Sequence, residues 1–208
     1  MPLDHWLAFT AAATILLLLP GPTVLLVVSY ALGHGRRPAA AIVAGVALGD
    51  LTAMTASVVG LGAVLAASAT LFTGLRWIGG AYLVWLGIRL WRAPVQAAAD
   101  APAPQTRLSR MFAHAYAVTA LNPKSIMFFI AFVPQFLAAG RPFWPQVAIL
   151  VATFVTLAAL NATGFALLAA GIRTRLRSAR VQRAVNRTGG SLLIGAGLLA
   201  VGLRRASA

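Results

Sequence analysis

Residues Trp6 to Gly33 form a run without a charged side chain, and near its middle the leucines Leu16 to Leu19 meet Pro20-Gly21-Pro22. Such a run is long enough to cross a bilayer as a helix, which takes about 20 apolar residues. Two prolines remove backbone donors and clash with the preceding turn, so a helix crossing there has to break near mid-membrane. Non-helical backbone at that depth persists only where protein buries it or a watery cavity is lined by it. The break therefore marks an interior position. Its functional reading is a transport site; a kink that serves packing alone is the plainer alternative.

The rest of the chain has the same character. Hydrophobic residues make up 60% of the 208 positions, and further apolar runs fall at about 39–67, 70–91, 112–138, 143–170 and 188–203 beyond the first at 6–32. The chain reads as one all-α integral membrane domain, 1–208, of six transmembrane helices. The last run is the shortest, and Gly189, Gly190, Gly195, Gly197 and Gly202 suit it to close packing inside a bundle. There are no cysteines, which excludes disulfides, thiol catalysis and thiolate metal sites. No Lys or Arg precedes the first run, and Pro20 interrupts it without an A-x-A-like cleavage site, which argues against a cleaved signal peptide.

A formal charge of +14, from 17 basic and 3 acidic residues, resembles a nucleic-acid signature until the basic residues are placed. Nearly all lie between the apolar runs, where cations fix orientation and meet anionic lipid headgroups, so nucleic acid is not implied. Twelve arginines gather in alternate connections, at 36–37, 89–110 and 173–187, against four at 76, 141, 204 and 205. The positive-inside rule then puts those three connections in the cytoplasm and both termini outside. The arginine-rich segment 172–187 reads as a cytoplasmic surface helix held by anionic lipid.

The cytoplasmic connection 93–108, with Pro94, Pro102 and Pro104, has linker composition and divides the chain into two sets of three helices. The sets resemble each other. Gly79-Gly80-x-x-Leu83-x-x-x-Gly87 recurs at constant spacing as Gly189-Gly190-x-x-Leu193-x-x-x-Gly197, Pro20 has a counterpart in Pro123, and Asp50 has one in Asn161. Three helices per set is an odd number, so the second copy sits inverted, with helices 1 and 4 broken at proline. That arrangement suits a transporter whose site lies between the copies.

Six positions can carry the chemistry. Pro22 is suited to the first turn of a half-helix, so N–H groups of Gly21, Thr23 and Val24 would face the break as a seat for a carboxylate. Asn122-Pro123 reads as an N-cap and first residue of a second such helix. Lys124 follows, to hold a substrate carboxylate, to pair with Asp50, or to snorkel to an interface. Asp50 is the only carboxylate inside any span; burial disfavours its charged form, so it binds a cation or carries a proton. Asn161 either lines the same cavity or joins helices. His114 is a proton relay or a structural residue. The acidic and histidine residues do not cluster, so neither a metal nor another cofactor is expected. The rings Trp77, Tyr82, Trp85, Trp91, Phe143 and Trp144 read as interfacial belt and packing, with a ring of the third helix available to close over a substrate.

The ordered set Leu19-Pro20-Gly21-Pro22, Gly45-x-x-x-Gly49-Asp50, Gly79-Gly80-Ala81-Tyr82-Leu83, Leu121-Asn122-Pro123-Lys124 and Phe132-Val133-Pro134-Gln135-Phe136 closely resembles the LysE/RhtB-type amino-acid exporters. The resemblance implies a bacterial inner-membrane secondary transporter that exports amino acids by proton antiport, with Pro20, Gly21, Pro22, Asp50, Asn122, Pro123 and Lys124 in its functional core. A single in-span carboxylate accommodates one ammonium more readily than two, which favours neutral cargo, such as homoserine/threonine or aliphatic amino acids, over lysine. Three rival classes stand beside this reading. An intramembrane enzyme would need more than Ser125 and His114, since no G-x-S-x-G, H-E-x-x-H or carboxylate pair accompanies them. A non-transporting membrane partner leaves in-span charges at helix breaks unexplained. An exporter of another small solute on the same fold shares every feature named. A homo-oligomer is compatible with all of them.

Overall fold

The computed structural model describes residues 1–19, 21–67, 69–92, 107–138, 140–171 and 179–202. Pro20, most of the expected linker (93–106) and the segments 172–178 and 203–208 lie outside the described residues. The elements are α1 (Leu3–Leu18), α2 (Pro22–His34), α3 (Ala39–Ala67), α4 (Ala69–Trp91), α5 (Leu108–Ala120), α6 (Pro123–Phe132) with a 3-10 turn at Val133–Phe136, α7 (Phe143–Gly171) and α8 (Ala179–Gly202). No strand occurs among the described residues.

Helices α1 and α2 together form the first expected span, and their axes differ by 55°. Pro22 opens α2 as anticipated, preceded by an extended Gly21. Helices α5 and α6 correspond to the fourth expected span, with a bend of 41° between them. There Asn122 caps α6 by accepting a hydrogen bond from the Lys124 backbone N–H (3.1 Å), and Pro123 occupies the first turn. Both breaks thus pair a residue of extended backbone with a proline whose missing donor costs nothing at a helix start. Pro22 and Pro123 thus hold equivalent places at the two helix starts, while Pro20, which the sequence repeat paired with Pro123, lies outside the described residues. Among the described residues, α3 and α7 are long and apolar enough to cross a membrane, and counting each bent pair as one span gives up to four such segments.

Helix α8 is longer than the apolar run expected at 188–203: it starts at Ala179 and carries part of the basic segment with it. Arg180, Arg183 and Arg187 therefore belong to the last helix and not to a separate surface helix. Arginine is a good helix former, and Arg187 stacks on the Trp91 ring (5.1 Å to the centroid), which holds the start of α8 against the end of α4. A second arginine, Arg89, lies over Trp85 at 5.0 Å.

The recurrent glycines explain how α4 and α8 meet. A Cβ at Gly87 would stand 2.6 Å from the Gly190 carbonyl oxygen, and one at Gly197 would stand 2.5 Å from that of Gly80. Contacts 87 to 190 and 80 to 197 run in opposite senses, so the helices are antiparallel. The two copies of the motif lie face to face, backbone on backbone. Lipid tails are as apolar as leucine, so such close packing, not water exclusion, holds helices together in a bilayer. Gly45 and Gly49 serve α3 likewise, against Phe112 and Tyr116 of the parallel helix α5.

One core cluster gathers Phe9, Phe128, Phe129, Phe132 and Phe154, with Phe129 edge-on to Phe154 at 4.8 Å. Aromatic pairs of this kind contribute about 0.5–1.5 kcal/mol each. A smaller cluster joins Val27, Ile42, Val46, Ala162 and Ala166. Polar latches close the ends. His5 Nδ1 meets the Phe136 carbonyl (3.1 Å), Trp6 donates to Thr153 (3.0 Å), and Tyr30 bonds His114 (2.9 Å). His114 thus ties α2 to α5.

Gly190→Ala should lower stability by about 1–3 kcal/mol through overpacking against the backbone of α4. Gly195→Ala on the same helix has nothing within 4 Å of its new methyl group. It should gain up to about 1 kcal/mol from helix propensity. Thermal unfolding of the two purified variants in detergent checks the opposite signs.

Candidate functional site

The last turn of α1 ends in mid-chain, and a helix end leaves its final carbonyls without partners. With no water in the surrounding hydrocarbon, those oxygens need donors from elsewhere. The Leu19 N–H reaches one of them, the Leu16 carbonyl (3.2 Å), and the second half of the molecule supplies the further donors. Lys124 Nζ donates to the carbonyls of Leu16 and Leu19, both at 3.0 Å. Asn161 Nδ2 donates to that of Leu17, also at 3.0 Å. The Lys124 side chain runs across Gly21, where a Cβ would lie 3.1 Å from Nζ and 3.3 Å from Cε.

On the other side of the break, Thr23 of α2 bonds Thr119 of α5 (3.2 Å) and accepts from Asn122 Nδ2 (3.3 Å). The two breaks are therefore stitched together directly. Between them lies a cavity of about 20 Å³, walled by Leu16, Leu17, Thr23, Val24 and Val27 from the first broken span and by Asn122, Lys124 and Ser125 from the second. Val46 and Asp50 of α3 close one side, and Ala158, Asn161, Ala162 and Phe165 of α7 close the other. That volume holds about one water molecule and is too small for an amino acid.

Asp50 is 2% exposed. Gly49 beside it presses on Thr119 and the Tyr116 carbonyl, which holds α3 against α5 at this level. No hydrogen bond or ion pair to the Asp50 carboxylate forms among the described residues. It attracts Lys124 through the shared cavity, but the ammonium is engaged on carbonyl oxygens. The result is a buried cation already satisfied by backbone and a buried carboxylate open to the cavity. Such a carboxylate suits a cationic group that arrives from outside, or a proton.

The structure brings Thr23, Asp50, Asn122, Lys124 and Asn161 to one cavity. Gly21 is buried beneath Lys124, while Pro22 and Pro123 shape the helix starts from exposed positions outside the lining. Two expectations for Lys124 need correction. At 7% exposure it does not snorkel to an interface, and it forms no ion pair with Asp50 within 4 Å. Among the described side chains no ring of α4 lines the cavity; Tyr82 packs on Trp85 at 5.4 Å, and the aromatic wall comes from Phe165. Sequence reasoning also missed Ala158, Ala162 and Phe165. Their spacing around Asn161 at i−3, i+1 and i+4 traces one helical face, and that periodicity was the available signal.

A helical bundle with two broken helix pairs meeting at a mostly apolar cavity that holds a few polar side chains defines a membrane protein built around an internal site. The chain belongs to the LysE type translocator family, whose model matches residues 14–202. The homoserine/homoserine lactone efflux protein of Salmonella typhi is 34% identical over 206 residues, covering 99% of this chain and 100% of the relative. An uncharacterized membrane protein of Vibrio cholerae is 34% identical over 199 residues, 96% and 97% of the two chains. A leucine efflux protein of Klebsiella pneumoniae is 28% identical over 134 residues, 64% of this chain and 63% of the relative. No solved structure matches the chain.

Asn161→Leu keeps the approximate volume and removes the donor to the Leu17 carbonyl. The orphaned oxygen should cost about 1–3 kcal/mol, read as a lower unfolding temperature in detergent. An unchanged value would mean that the Leu17 oxygen does not depend on Asn161.

Proposed function

We propose that this chain exports small neutral amino acids, with homoserine, threonine and leucine as the first candidates, from the cytoplasm by proton antiport. The observation that carries the reading is the buried, unpaired carboxylate of Asp50, which faces an interior cavity between two helix breaks. Full-length similarity to a homoserine/homoserine lactone efflux protein supports the choice of cargo. One carboxylate matches one α-ammonium, and the small side chains Ala158 and Ala162 leave lateral room for a short substrate side chain.

Six spans, arranged as two inverted sets of three, form the carrier. The antiparallel meeting of the recurrent glycine motifs on α4 and α8 supports the inversion. The arginine-rich connections face the cytoplasm of a bacterium and lie on anionic lipid, which leaves both termini outside.

The mechanism follows from the division of charge. The cytoplasmic side opens and the cavity widens to admit the zwitterion. Its ammonium meets Asp50, and its carboxylate meets the first-turn N–H groups of α2, which a helix leaves unpartnered and which carry the positive end of its dipole. The two sets of helices rock about the site and open it outward. Asp50 releases the ammonium, takes a proton from outside and carries it inward on the return. A charge crossing 100 mV contributes about 2.3 kcal/mol, which sustains a cargo gradient.

Cells loaded with homoserine-, threonine- or leucine-containing dipeptides test the reading. With the protein present, one or a few amino acids should leave the cells selectively, and a protonophore should slow their exit. Asp50→Asn, at equal membrane abundance, should abolish that export. Undiminished export by Asp50→Asn would remove the carboxylate from the mechanism, and no amino-acid export by the wild type would overturn the assigned cargo.

A further inference from the structure

Lys124 plays a part that the export mechanism above does not use. Its ammonium is buried, it donates at 3.0 Å each to the carbonyls of Leu16 in the last α1 turn and of Leu19, the extended residue that ends that helix, and it stays off the one carboxylate in the cavity. The C-terminal end of a helix carries the negative end of the dipole, so these oxygens form a site for a monovalent cation. Broken helices in membrane carriers offer unwound carbonyls and half-helix C-termini to a free co-ion in this manner. Here the position is filled from within the chain.

We propose that the end of α1 is a monovalent-cation site occupied by a tethered ion, the Lys124 ammonium, in place of a free co-ion. Three features support this. The site is selective for a slender group, because Gly21 forms its wall and a methyl group there would stand 3.1 Å from Nζ. It is fixed on a rigid base, because Asn161 engages the adjacent Leu17 carbonyl and Asn122 caps the helix that carries Lys124. It is chemically separate from Asp50, so the cavity holds two cation positions, one filled permanently and one left for cargo or proton. A carrier built this way needs neither sodium nor potassium. Shortening the lysine exposes the carbonyls to a free ion, and their N–H···O spacing suits an ammonium-sized ion best.

The inference rests on the export reading only for its transport arm. In the binding arm, purified Lys124→Ala is unfolded by heat in choline, sodium, potassium, ammonium or methylammonium chloride at equal ionic strength. Methylammonium and ammonium should raise its unfolding temperature by the linkage of ligand binding to folding, and the wild type should not respond. Lys124→Met, which fills the channel with an uncharged chain, should not respond either. In the transport arm, wild-type export should be the same with sodium, potassium or choline. Lys124→Ala export should fall about tenfold or more, since the Leu19 carbonyl loses its Lys124 donor and the Leu16 carbonyl keeps only the Leu19 N–H, and methylammonium should restore part of it.

A Lys124→Ala protein whose stability ignores every cation overturns the proposal, and so does wild-type export that requires sodium or potassium. If Lys124→Ala does not fold in choline, its recovery in methylammonium supports the proposal and its failure there contradicts it. Cation-dependent stability without amino-acid export by the wild type would remove the assigned cargo and leave the tethered ion standing.

Discussion

A helix broken inside hydrocarbon leaves backbone oxygens that no water reaches, and the rest of this structure depends on how those at the end of α1 are satisfied. Leu16 and Leu19 are bonded by Lys124, and Leu17 by Asn161. Both donors come from the other half of the chain. An unmade hydrogen bond at such a buried position costs about 1–3 kcal/mol, so these three contacts do more than join two halves. They fix where the break sits, which groups face the cavity, and which charge remains uncommitted.

The uncommitted charge is Asp50. Had Lys124 paired with it, the cavity would hold a neutral pair with little call for a ligand. Because the ammonium is spent on backbone, the carboxylate on α3 is left facing the space between the two breaks. The surrounding frame keeps it there by close approach of backbones, Gly45 and Gly49 against α5 and Gly87 against Gly190. Glycine-mediated pairs on the outside, α3 with α5 and α4 with α8, and polar stitching on the inside join the two halves of the chain around a small central site.

Much of this was legible in the residues. Proline after glycine or asparagine marked both helix starts because its missing donor is harmless only there, and Asp50 stood out because no other carboxylate lies within a span. The repeated glycine motif was visible, although not that its two copies would meet each other. Lys124 was legible as important and misread in its partners, since backbone carbonyls occur at every position and leave no trace in a sequence. The start of α8 at Ala179 was hidden because arginines so close to an apolar run read as an interface. Ala158, Ala162 and Phe165 were hidden because alanine and phenylalanine look the same lining a cavity as facing lipid.

The central claim is that the buried space between the breaks opens to water and admits a small ammonium-bearing substrate. The chain has no cysteine of its own, so Ala162→Cys in the cavity wall can be probed with a cationic methanethiosulfonate reagent, beside a lipid-facing control at Leu160→Cys. The account predicts that Ala162→Cys reacts in membranes, that the control does not, and that homoserine slows the reaction. A thiol at 162 that never reacts, or reacts at the same rate with every candidate substrate present, would contradict it.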